Sequence, residues 1–232
     1  MLINVVIPFH NEGKNIFFLI AEINKILKNL KYNYEFIFID DGSSDNSLYV
    51  FKNTKKYFKY KLLKNESKLG QTKCFKRCFR GCTGNYIIRM DSDLQDKPSD
   101  LKIFENYINK DFDLILGERG KRKHNFLLKV ASHVYDIVIK IFFVSSLKYS
   151  SGSFVAFKTK YLKNVNIKNN DHRYLPIICQ LRGAKKNISV NITHRKRIYG
   201  KSKYNTLSKI IFGFFEVINF IYRAKNGFFK KN

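Results

Sequence analysis

The sequence predicts an α/β fold in which a mostly parallel sheet is flanked by helices. Over the first 119 residues, short runs of apolar and β-branched residues alternate strictly with segments of helical spacing. The apolar runs are continuous, as expected for strands that are buried on both faces of a sheet. Five strands are predicted in this part of the chain, at residues 2–7, 34–39, 60–63, 85–90 and 112–116.

Helices are predicted between these strands. In the first, apolar residues recur at the spacing of one helical face. Ser44 or Asp45 can cap the second helix, and Ser99 can cap the fourth. The predicted helices cover about residues 16–30, 46–58, 70–82 and 100–109.

The pattern changes after Arg119. Residues 126–143 and 206–222 are long apolar segments interrupted by charged residues, and each predicts an amphipathic helix. Either helix could pack on the core or lie at a membrane surface. Basic residues after the second segment favour an anionic membrane surface there. A small-residue turn at 150–153, a helix at 171–182 and a final strand at 187–192 complete the pattern.

Two features indicate the cellular location. The sequence contains no stretch of 18 uncharged apolar residues, so a membrane-spanning helix is not expected. Its apolar start lacks a basic region and a small-residue cleavage site, and therefore predicts a strand instead of a signal peptide. We expect a cytoplasmic protein that associates peripherally with the inner face of the plasma membrane.

The charge and the motifs narrow the possible functions. Lys and Arg number 44 against 18 Asp and Glu, so the net charge is +26. Such a surface attracts nucleic acid, anionic lipid or phosphorylated substrates. No Gly-x-Gly-x-x-Gly follows the first strand, and no Gly-x4-Gly-Lys-Ser/Thr occurs. Their absence argues against a dinucleotide oxidoreductase and a P-loop NTPase.

The cysteines predict buried reduced thiols. Cys74, Cys78 and Cys82 recur every four residues, which places them along one helical stripe, and Cys179 stands alone. A zinc site is the alternative, but no histidine lies nearby and the spacing is not a usual zinc pattern.

Polar residues follow four of the predicted strands. Asp91 and Asp93 end the strand at 85–90, and the other strand ends carry Asn11 and Glu12, Asp40 and Asp41, and Arg119. Carboxyl ends of parallel strands meet at one edge, where ligands bind. Two carboxylates there can hold Mg²⁺ or Mn²⁺ with a diphosphate completing the shell. The alternative interpretation is a polar turn after a buried strand.

A basic loop covers residues 194–204. Gly200 allows a tight turn within it. Arg197 and Lys203 could meet phosphate oxygens in charge-assisted bonds. The alternative is a solvated basic surface.

These segments resemble a known family. Residues 5–12 (VVIPFHNE), 39–45 (IDDGSSD) and 90–95 (MDSDLQ) are similar to the family 2 glycosyltransferases of GT-A, Rossmann-like fold. Gly117-Glu118-Arg119, Ser151-Gly152 and Arg197-x2-Gly200-x-Ser202-Lys203 narrow the resemblance to the dolichyl-phosphate mannose synthase-like, polyprenyl-phosphate branch. The match runs in order from residue 5 to about residue 204.

The resemblance implies a role for each matching residue. Asp91, Ser92, Asp93 and Gln95 resemble the metal and sugar-diphosphate site, with Asp91, Asp93 and Gln95 as ligands of Mg²⁺ or Mn²⁺. Arg119 resembles the arginine near the donor and acceptor phosphates. The residues similar to the pocket for the nucleotide base and ribose are Pro8, Phe9, Glu12, Ile39 and Asp41.

The remaining roles concern the acceptor and the closing loop. Ser132 lies where the family has an acceptor-phosphate serine, and Arg197 and Lys203 resemble the loop that closes over the diphosphate. Asp93, Arg119 and Arg197 are the candidate catalytic residues. Four positions depart from the family pattern, and they are His10, Leu128, Lys148 and Ser189.

The resemblance implies a domain organisation. A glycosyltransferase domain covers residues 1–204, with a nucleotide-binding half at about 1–119 and an acceptor half at about 120–204. Beyond the match, the apolar segment and the basic residues after it predict a C-terminal amphipathic, membrane-associating helix at 205–232.

The resemblance also implies a reaction. A sugar would move, with inversion, from a GDP- or UDP-sugar to a polyprenyl phosphate, whose phosphate is already anionic and needs no strong protein base. Consistent with this, the chain lacks tryptophan and the Gln-x-x-Arg-Trp motif of polysaccharide synthases. Three alternatives remain: a transferase of the same fold with a saccharide or other soluble acceptor, an inactive homologue, and a basic nucleic-acid-binding module, although no nucleic-acid-binding signature is present.

Overall fold

Seven strands form a single sheet in a computed structural model that describes residues 1–119, 137–143, 152–168, 170–196 and 206–230. The spatial order is β3-β2-β1-β4-β6-β5-β7. All strands run parallel except β6, which pairs antiparallel with β4 and β5. The strands are β1 Leu2–Phe9, β2 Asn33–Asp41, β3 Lys59–Asn65, β4 Tyr86–Arg89, β5 Leu114–Arg119, β6 Val155–Lys158 and β7 Asn187–Ile192. The predicted α/β fold with a mostly parallel sheet is confirmed.

Helices connect the strands as the apolar spacing predicts. They are α1 Gly13–Ile26, α2 Ser47–Asn53, α3 Gln71–Gly81, α4 Leu101–Ile108, α5 Thr159–Leu162, α6 Leu175–Leu181 and α7 Thr206–Lys225. Residues 137–143 are also helical, and the earlier part of the predicted segment 126–143 lies outside the described residues. The prediction for α2 was too long, because the chain becomes extended at Thr54.

The sheet separates two apolar layers. Alternate side chains of a strand point to opposite faces, so Val6 and Ile87 pack in one layer while Val5 and Ile88 pack in the other. The first layer includes side chains of α3, α6 and α7, and the second includes those of α1, α2 and α4. Burial on both faces explains why the strands are continuously apolar in sequence.

Two cysteines of α3, and the cysteine that directly follows this helix, face the first layer. Cys74, Cys78 and Cys82 are buried free thiols, as is Cys179. Burial raises the pKa of Cys74 to about 12, with the nearby Asp41 charge adding to the rise. The thiol therefore stays protonated near neutral pH, and the prediction of buried reduced cysteines is confirmed.

β6 was not predicted as a strand. It consists of four residues after the small-residue turn, and it lies between β4 and β5. Because β6 runs antiparallel, its amino end lies at the edge where the other strands have their carboxyl ends. Ser153 is thereby brought to the same edge as Arg119.

α7 packs on the domain through one face. Its residues Phe220 and Ile221 are buried, and the Phe220 ring stacks on Tyr174 with ring centroids 4.1 Å apart. The guanidinium of Arg223 donates two hydrogen bonds, of 2.7 and 2.6 Å, to the fully buried carboxylate of Asp171. One face of α7 therefore packs on the core, which is one of the two expected surroundings. Contact of another face with a membrane stays a prediction.

No helix among the described residues is long and apolar enough to cross a bilayer. α7 has 20 residues, but charged residues such as Glu216 and Arg223 interrupt it.

Truncation of Phe220 tests the packing of α7. We expect Phe220→Ala to lower the free energy of unfolding by about 3 kcal/mol, since it leaves a cavity between α7 and the core. Phe214→Ala removes the same side chain from an exposed position of the same helix, and should cost less than about 0.5 kcal/mol. Urea unfolding followed by circular dichroism measures both. Equal costs would contradict the described packing.

Candidate functional site

The carboxyl ends of β1, β2 and β4 lie side by side. Phe9 at the end of β1 pairs with Asp40 near the end of β2, and the Met90 N–H donates to the Val6 carbonyl at 3.1 Å. The polar residues that follow these strands therefore share one edge of the sheet, as the sequence predicts.

Asp93 sits in a tight turn after β4. It is largely buried, and its Oδ1 accepts a 3.1 Å hydrogen bond from the Gln95 N–H. The next residue, Leu94, has φ +62°, an uncommon conformation for a leucine. The turn bends the chain immediately after the two aspartates, and backbone strain of this kind clusters at ligand sites.

Asp91 faces a buried cation. Its Oδ1 lies 3.8 Å from Nη2 of Arg89 and accepts no hydrogen bond within the described part of the chain. Burial raises the pKa of Asp91, Arg89 lowers it, and the negative charges of Asp96 and Asp93 raise it further, so the net shift is upward. Asp91 and Asp93 are thus electrostatically coupled, and a cation that binds here would relieve their repulsion.

Arg89 is a site residue that the sequence did not reveal. It belongs to an apolar strand, yet its side chain is buried beneath Asp91, where Nη1 donates to the His172 carbonyl at 2.9 Å. Its guanidinium also lies 5.0 Å from the centre of the Phe75 ring. Burial lowers the pKa of His172 to about 2, so this histidine is neutral and adds no charge next to Arg89.

Arg119 is held by a carboxylate that the sequence analysis missed. Its Nε and Nη2 donate to the two oxygens of Asp96 at 3.1 and 2.8 Å. Asp96 is fully buried, and Ser153 Oγ donates to it at 3.1 Å while also contacting Arg119. The plane of the Arg119 guanidinium is therefore fixed at this edge, where its charge acts on Asp91.

The start of the basic loop is anchored next to the acidic turn. The Arg195 N–H donates to the Gln95 carbonyl at 2.9 Å, and its Nε donates to the Leu94 carbonyl at 2.9 Å. The rest of its guanidinium binds Glu22 in a bidentate pair of 2.6 and 2.9 Å. The described chain therefore passes directly beside the acidic turn before it reaches residue 197.

Two loops lock together at the ends of β1 and β2. Asn11, with φ +56°, accepts hydrogen bonds through Oδ1 from the N–H groups of Ser44 at 2.8 Å and Asp45 at 3.3 Å. The Glu12 N–H donates to Ser47 Oγ at 2.7 Å. His10, one of the departures, contacts the Asp41 carbonyl through Nδ1 at 2.9 Å. The site edge is preorganised here by contacts between residues about 33 positions apart.

Asp41 is ionised and strongly hydrogen-bonded. Its carboxylate accepts N–H groups of Leu69 and Gly70, both at 2.8 Å, and the Asn65 side chain at 2.9 Å. Burial raises the pKa of Asp41, but these hydrogen bonds outweigh burial and hold the pKa below its ordinary value. The adjacent Asp40 uses Oδ1 to accept the Ser43 N–H at 2.9 Å, and its buried Oδ2 accepts no hydrogen bond from the described residues.

The predicted site residues fall into three groups. Glu12, Asp41, Asp91, Asp93 and Arg119 lie at the common edge. Pro8, Phe9 and Ile39 are also there, with side chains buried in the sheet. Ser92 is buried in the turn after β4, whereas Gln95 is partly exposed. Those outside the described residues are Ser132, Arg197 and Lys203, together with the departures Leu128 and Lys148. Ser189 lies in β7, opposite Leu116 of β5.

The donor set at Asp91 and Asp93 fits a hard divalent cation. Both groups are carboxylates, and one buried oxygen of Asp91 has no hydrogen-bond donor among the described residues. No cluster of three or more His, Cys, Asp or Glu side chains suited to a metal occurs in the described ranges. A Mg²⁺ site that uses one or two carboxylates and the phosphates of a substrate does not need a third such ligand.

Fold and site together define an α/β protein with two carboxylates at the carboxyl edge of a mostly parallel sheet, the edge at which sheets of this kind bind ligands. The chain belongs to glycosyl transferase family 2, whose family model matches residues 4–170. The resemblance stated from the motifs is therefore confirmed at the level of the family.

Curated relatives include lipid-phosphate sugar transferases. The chain is 26% identical over 215 residues to undecaprenyl-phosphate 4-deoxy-4-formamido-L-arabinose transferase of Proteus mirabilis, covering 90% of this chain and 64% of that protein. It is 25% identical over 238 residues to dodecaprenyl-phosphate galacturonate synthase of Rhizobium johnstonii, covering 98% and 70%. The chain thus spans slightly less than two thirds of the arabinose transferase.

Solved structures share the fold. Glucosyl-3-phosphoglycerate synthase from Mycobacterium tuberculosis, in complex with Mn²⁺, UDP and phosphoglyceric acid, superposes with a TM-score of 0.72 at 15% identity. The superposition covers 96% of this chain and 78% of that one. The same enzyme with Mg²⁺ and UDP gives a TM-score of 0.72 at 14% identity. At this identity the likeness concerns the fold.

Removal of the Asp96 charge tests the support of Arg119. We expect Asp96→Asn to lower the free energy of unfolding by about 3 kcal/mol, because it leaves a buried guanidinium without its counter-charge. The matched control is Glu22→Gln, which breaks the bidentate pair with the more exposed Arg195 and should cost less than about 1 kcal/mol. Chemical unfolding measures both. If the two substitutions cost the same, Asp96 is not the buried partner described.

Proposed function

We propose that this chain is a metal-dependent, inverting glycosyltransferase that moves a sugar from a nucleotide-diphosphate sugar to a polyprenyl phosphate at the cytoplasmic face of the membrane. The observation that carries the proposal is the pair of coupled carboxylates, Asp91 and Asp93, at the end of β4. The nature of the curated relatives supports the lipid-phosphate acceptor.

Asp91 and Asp93 would hold Mg²⁺ or Mn²⁺, with Gln95 as a third candidate ligand. When bound there, the ion offsets the negative charge that develops on the leaving nucleoside diphosphate. The chain itself contributes a prearranged site: the Gln95 N–H orients the Asp93 carboxylate, and Arg89 provides positive charge below Asp91.

The donor nucleotide would lie across the ends of β1 and β2. Hydrogen bonds hold together the two loops at these strand ends, and Asp41 is already ionised. Asp40 adds a buried oxygen that accepts no hydrogen bond within the described ranges. These polar groups support the proposal of a base and ribose pocket at this edge. They do not distinguish between UDP and GDP.

The acceptor phosphate would approach from the side of Arg119. Asp96 and Ser153 fix the plane of its guanidinium, which limits the entropy that is lost when a phosphate binds. A phosphate monoester is ionised near neutral pH, so it can attack the anomeric carbon without losing a proton to a protein base. Ser132, Arg197 and Lys203 keep the roles that the resemblance implies, as proposals.

Removal of the Asp93 charge tests the metal site. We expect Asp93→Asn and Asp91→Asn each to lower the rate of transfer at saturating Mg²⁺ or Mn²⁺ by at least about a hundredfold, since the leaving diphosphate loses its counter-charge. Asp111→Asn is the control, because Asp111 is exposed and lies far from this edge. Circular dichroism confirms folding. Normal metal-dependent transfer by a folded Asp93→Asn variant would refute the site.

A screen of substrates tests the reaction. Nucleotide sugars are incubated with the protein, Mg²⁺ or Mn²⁺, and either undecaprenyl phosphate or soluble saccharides, and products are identified by mass spectrometry. We expect a glycosylated lipid phosphate from a UDP- or GDP-sugar. If products form only with soluble acceptors, the protein is a glycosyltransferase whose acceptor is not a polyprenyl phosphate. Salt-dependent DNA binding without nucleotide-sugar binding would support the nucleic-acid-binding alternative.

A further inference from the structure

α7 has two apolar faces with different surroundings. Val217, Phe220 and Ile221 are buried against the domain. On another face, Phe214, Phe215, Ile218 and Tyr222 are 49–69% exposed. At 3.6 residues per turn, these four exposed positions fall within an arc of about 100°. Large side chains exposed together along one face differ from isolated apolar residues on a surface, and they indicate a contact site.

The helical residues 137–143 extend this exposed face. Ile141 and Phe142 are 70% and 42% exposed. The Phe143 ring lies 5.5 Å from the Phe220 ring of α7, and Lys225 Nζ lies 4.7 Å from the Phe142 ring. The two helices are therefore neighbours. We name their exposed side chains the aromatic surface, and it consists of Ile141, Phe142, Phe214, Phe215, Ile218 and Tyr222.

Among the described residues, the charged side chains exposed beside the aromatic surface are positive. Lys140 and Lys225 are exposed beside it. Glu216 is the sole acidic residue in the sequence of α7, and it is turned towards the domain, where Arg173 Nη1 donates to it at 2.9 Å and Asn170 contacts it. An apolar strip flanked by lysines, with its acid neutralised, complements an anionic lipid surface. A second copy of this chain, with a net charge of +26, would bring like charges together.

The aromatic surface has a fixed orientation relative to the candidate site. Arg223 of α7 binds Asp171 in a buried bidentate pair. The next residue, His172, accepts a hydrogen bond from Arg89, which in turn faces Asp91. A short path of direct contacts therefore connects the helix that carries the aromatic surface to the acidic strand end.

We infer that the aromatic surface inserts into the headgroup region of an anionic bilayer and so sets the orientation of the catalytic edge towards the leaflet that holds the acceptor lipid. Insertion into the bilayer does not depend on the proposed function, whereas the orientation of the catalytic edge towards the acceptor lipid rests on it. Phe, Ile and Tyr side chains supply the apolar contact, and Lys140 and Lys225 reach the lipid phosphates. The Arg223–Asp171 pair prevents the helix from turning independently of the domain.

The experiment compares binding to vesicles of equal parts phosphatidylglycerol and phosphatidylcholine. The variant Phe215→Ser/Ile218→Ser/Tyr222→Ser should bind at least about tenfold more weakly than the wild type, since three exposed side chains lose their apolar contact. The control variant is Tyr49→Ser/Tyr57→Ser, which removes two aromatic rings that are 69% and 67% exposed elsewhere. It should bind like the wild type.

Three results would overturn the inference. The first is unchanged vesicle binding by the triple variant, and the second is equally weakened binding by the control variant. The third is a wild type that is dimeric in solution and a triple variant that is monomeric, with equal binding of both to vesicles. Light scattering measures the last of these. Preserved circular dichroism and thermal melting show that a loss of binding is not a loss of folding.

A second readout separates this inference from the proposed function. Undecaprenyl phosphate is presented either in the same vesicles or in detergent micelles. We expect the triple variant to lose transfer with vesicles, by at least about tenfold, and to keep it with micelles. Full transfer by the triple variant in vesicles would contradict the inference, while the proposed glycosyltransferase function would still hold. A lack of transfer by the wild type in both would contradict the proposed function, while vesicle binding would still decide the role of the aromatic surface.

Discussion

The ion pair between the buried Arg89 and the partly exposed Asp91 is the interaction on which the candidate site depends. Asp91, Asp93 and Asp96 follow β4 closely in the chain, and burial, together with repulsion from Asp96 and Asp93, raises the pKa of Asp91. Arg89 is the buried cation beneath them, held by the His172 carbonyl and the Phe75 ring. A carboxylate buried without such a partner would take up a proton and could no longer bind a cation.

The chain order of strands and their polar ends could be predicted from the sequence, because parallel strands must meet at one edge and buried strands must be apolar. The partners within the site could not be predicted. Asp96 and Arg119 are 23 residues apart, and Ser153 reaches them only because β6 inserts antiparallel between β4 and β5. Arg89 was hidden because its neighbours in β4 are apolar.

The apolar periodicity of α7 does not by itself show which face of the helix packs on the domain. Its sequence is apolar over more than one face, and this pattern fits both a core helix and an interfacial helix. Which face packs is decided by specific partners: Tyr174 stacks on Phe220, and Asp171 binds Arg223. Among the described residues, the aromatic side chains of the other face are exposed, and contact of that face with a membrane stays a proposal.

The proposed reaction requires Asp91 and Asp93 to bind a divalent cation together with a nucleoside diphosphate. A crystal structure of the wild type grown with Mn²⁺ and UDP or GDP, with anomalous scattering recorded from manganese, tests it most directly. We expect one anomalous peak at about 2.1 Å from a carboxylate oxygen of Asp91 or Asp93 and from the diphosphate. A nucleoside diphosphate bound at this edge with manganese elsewhere, or with both carboxylates turned away from it, would contradict the account.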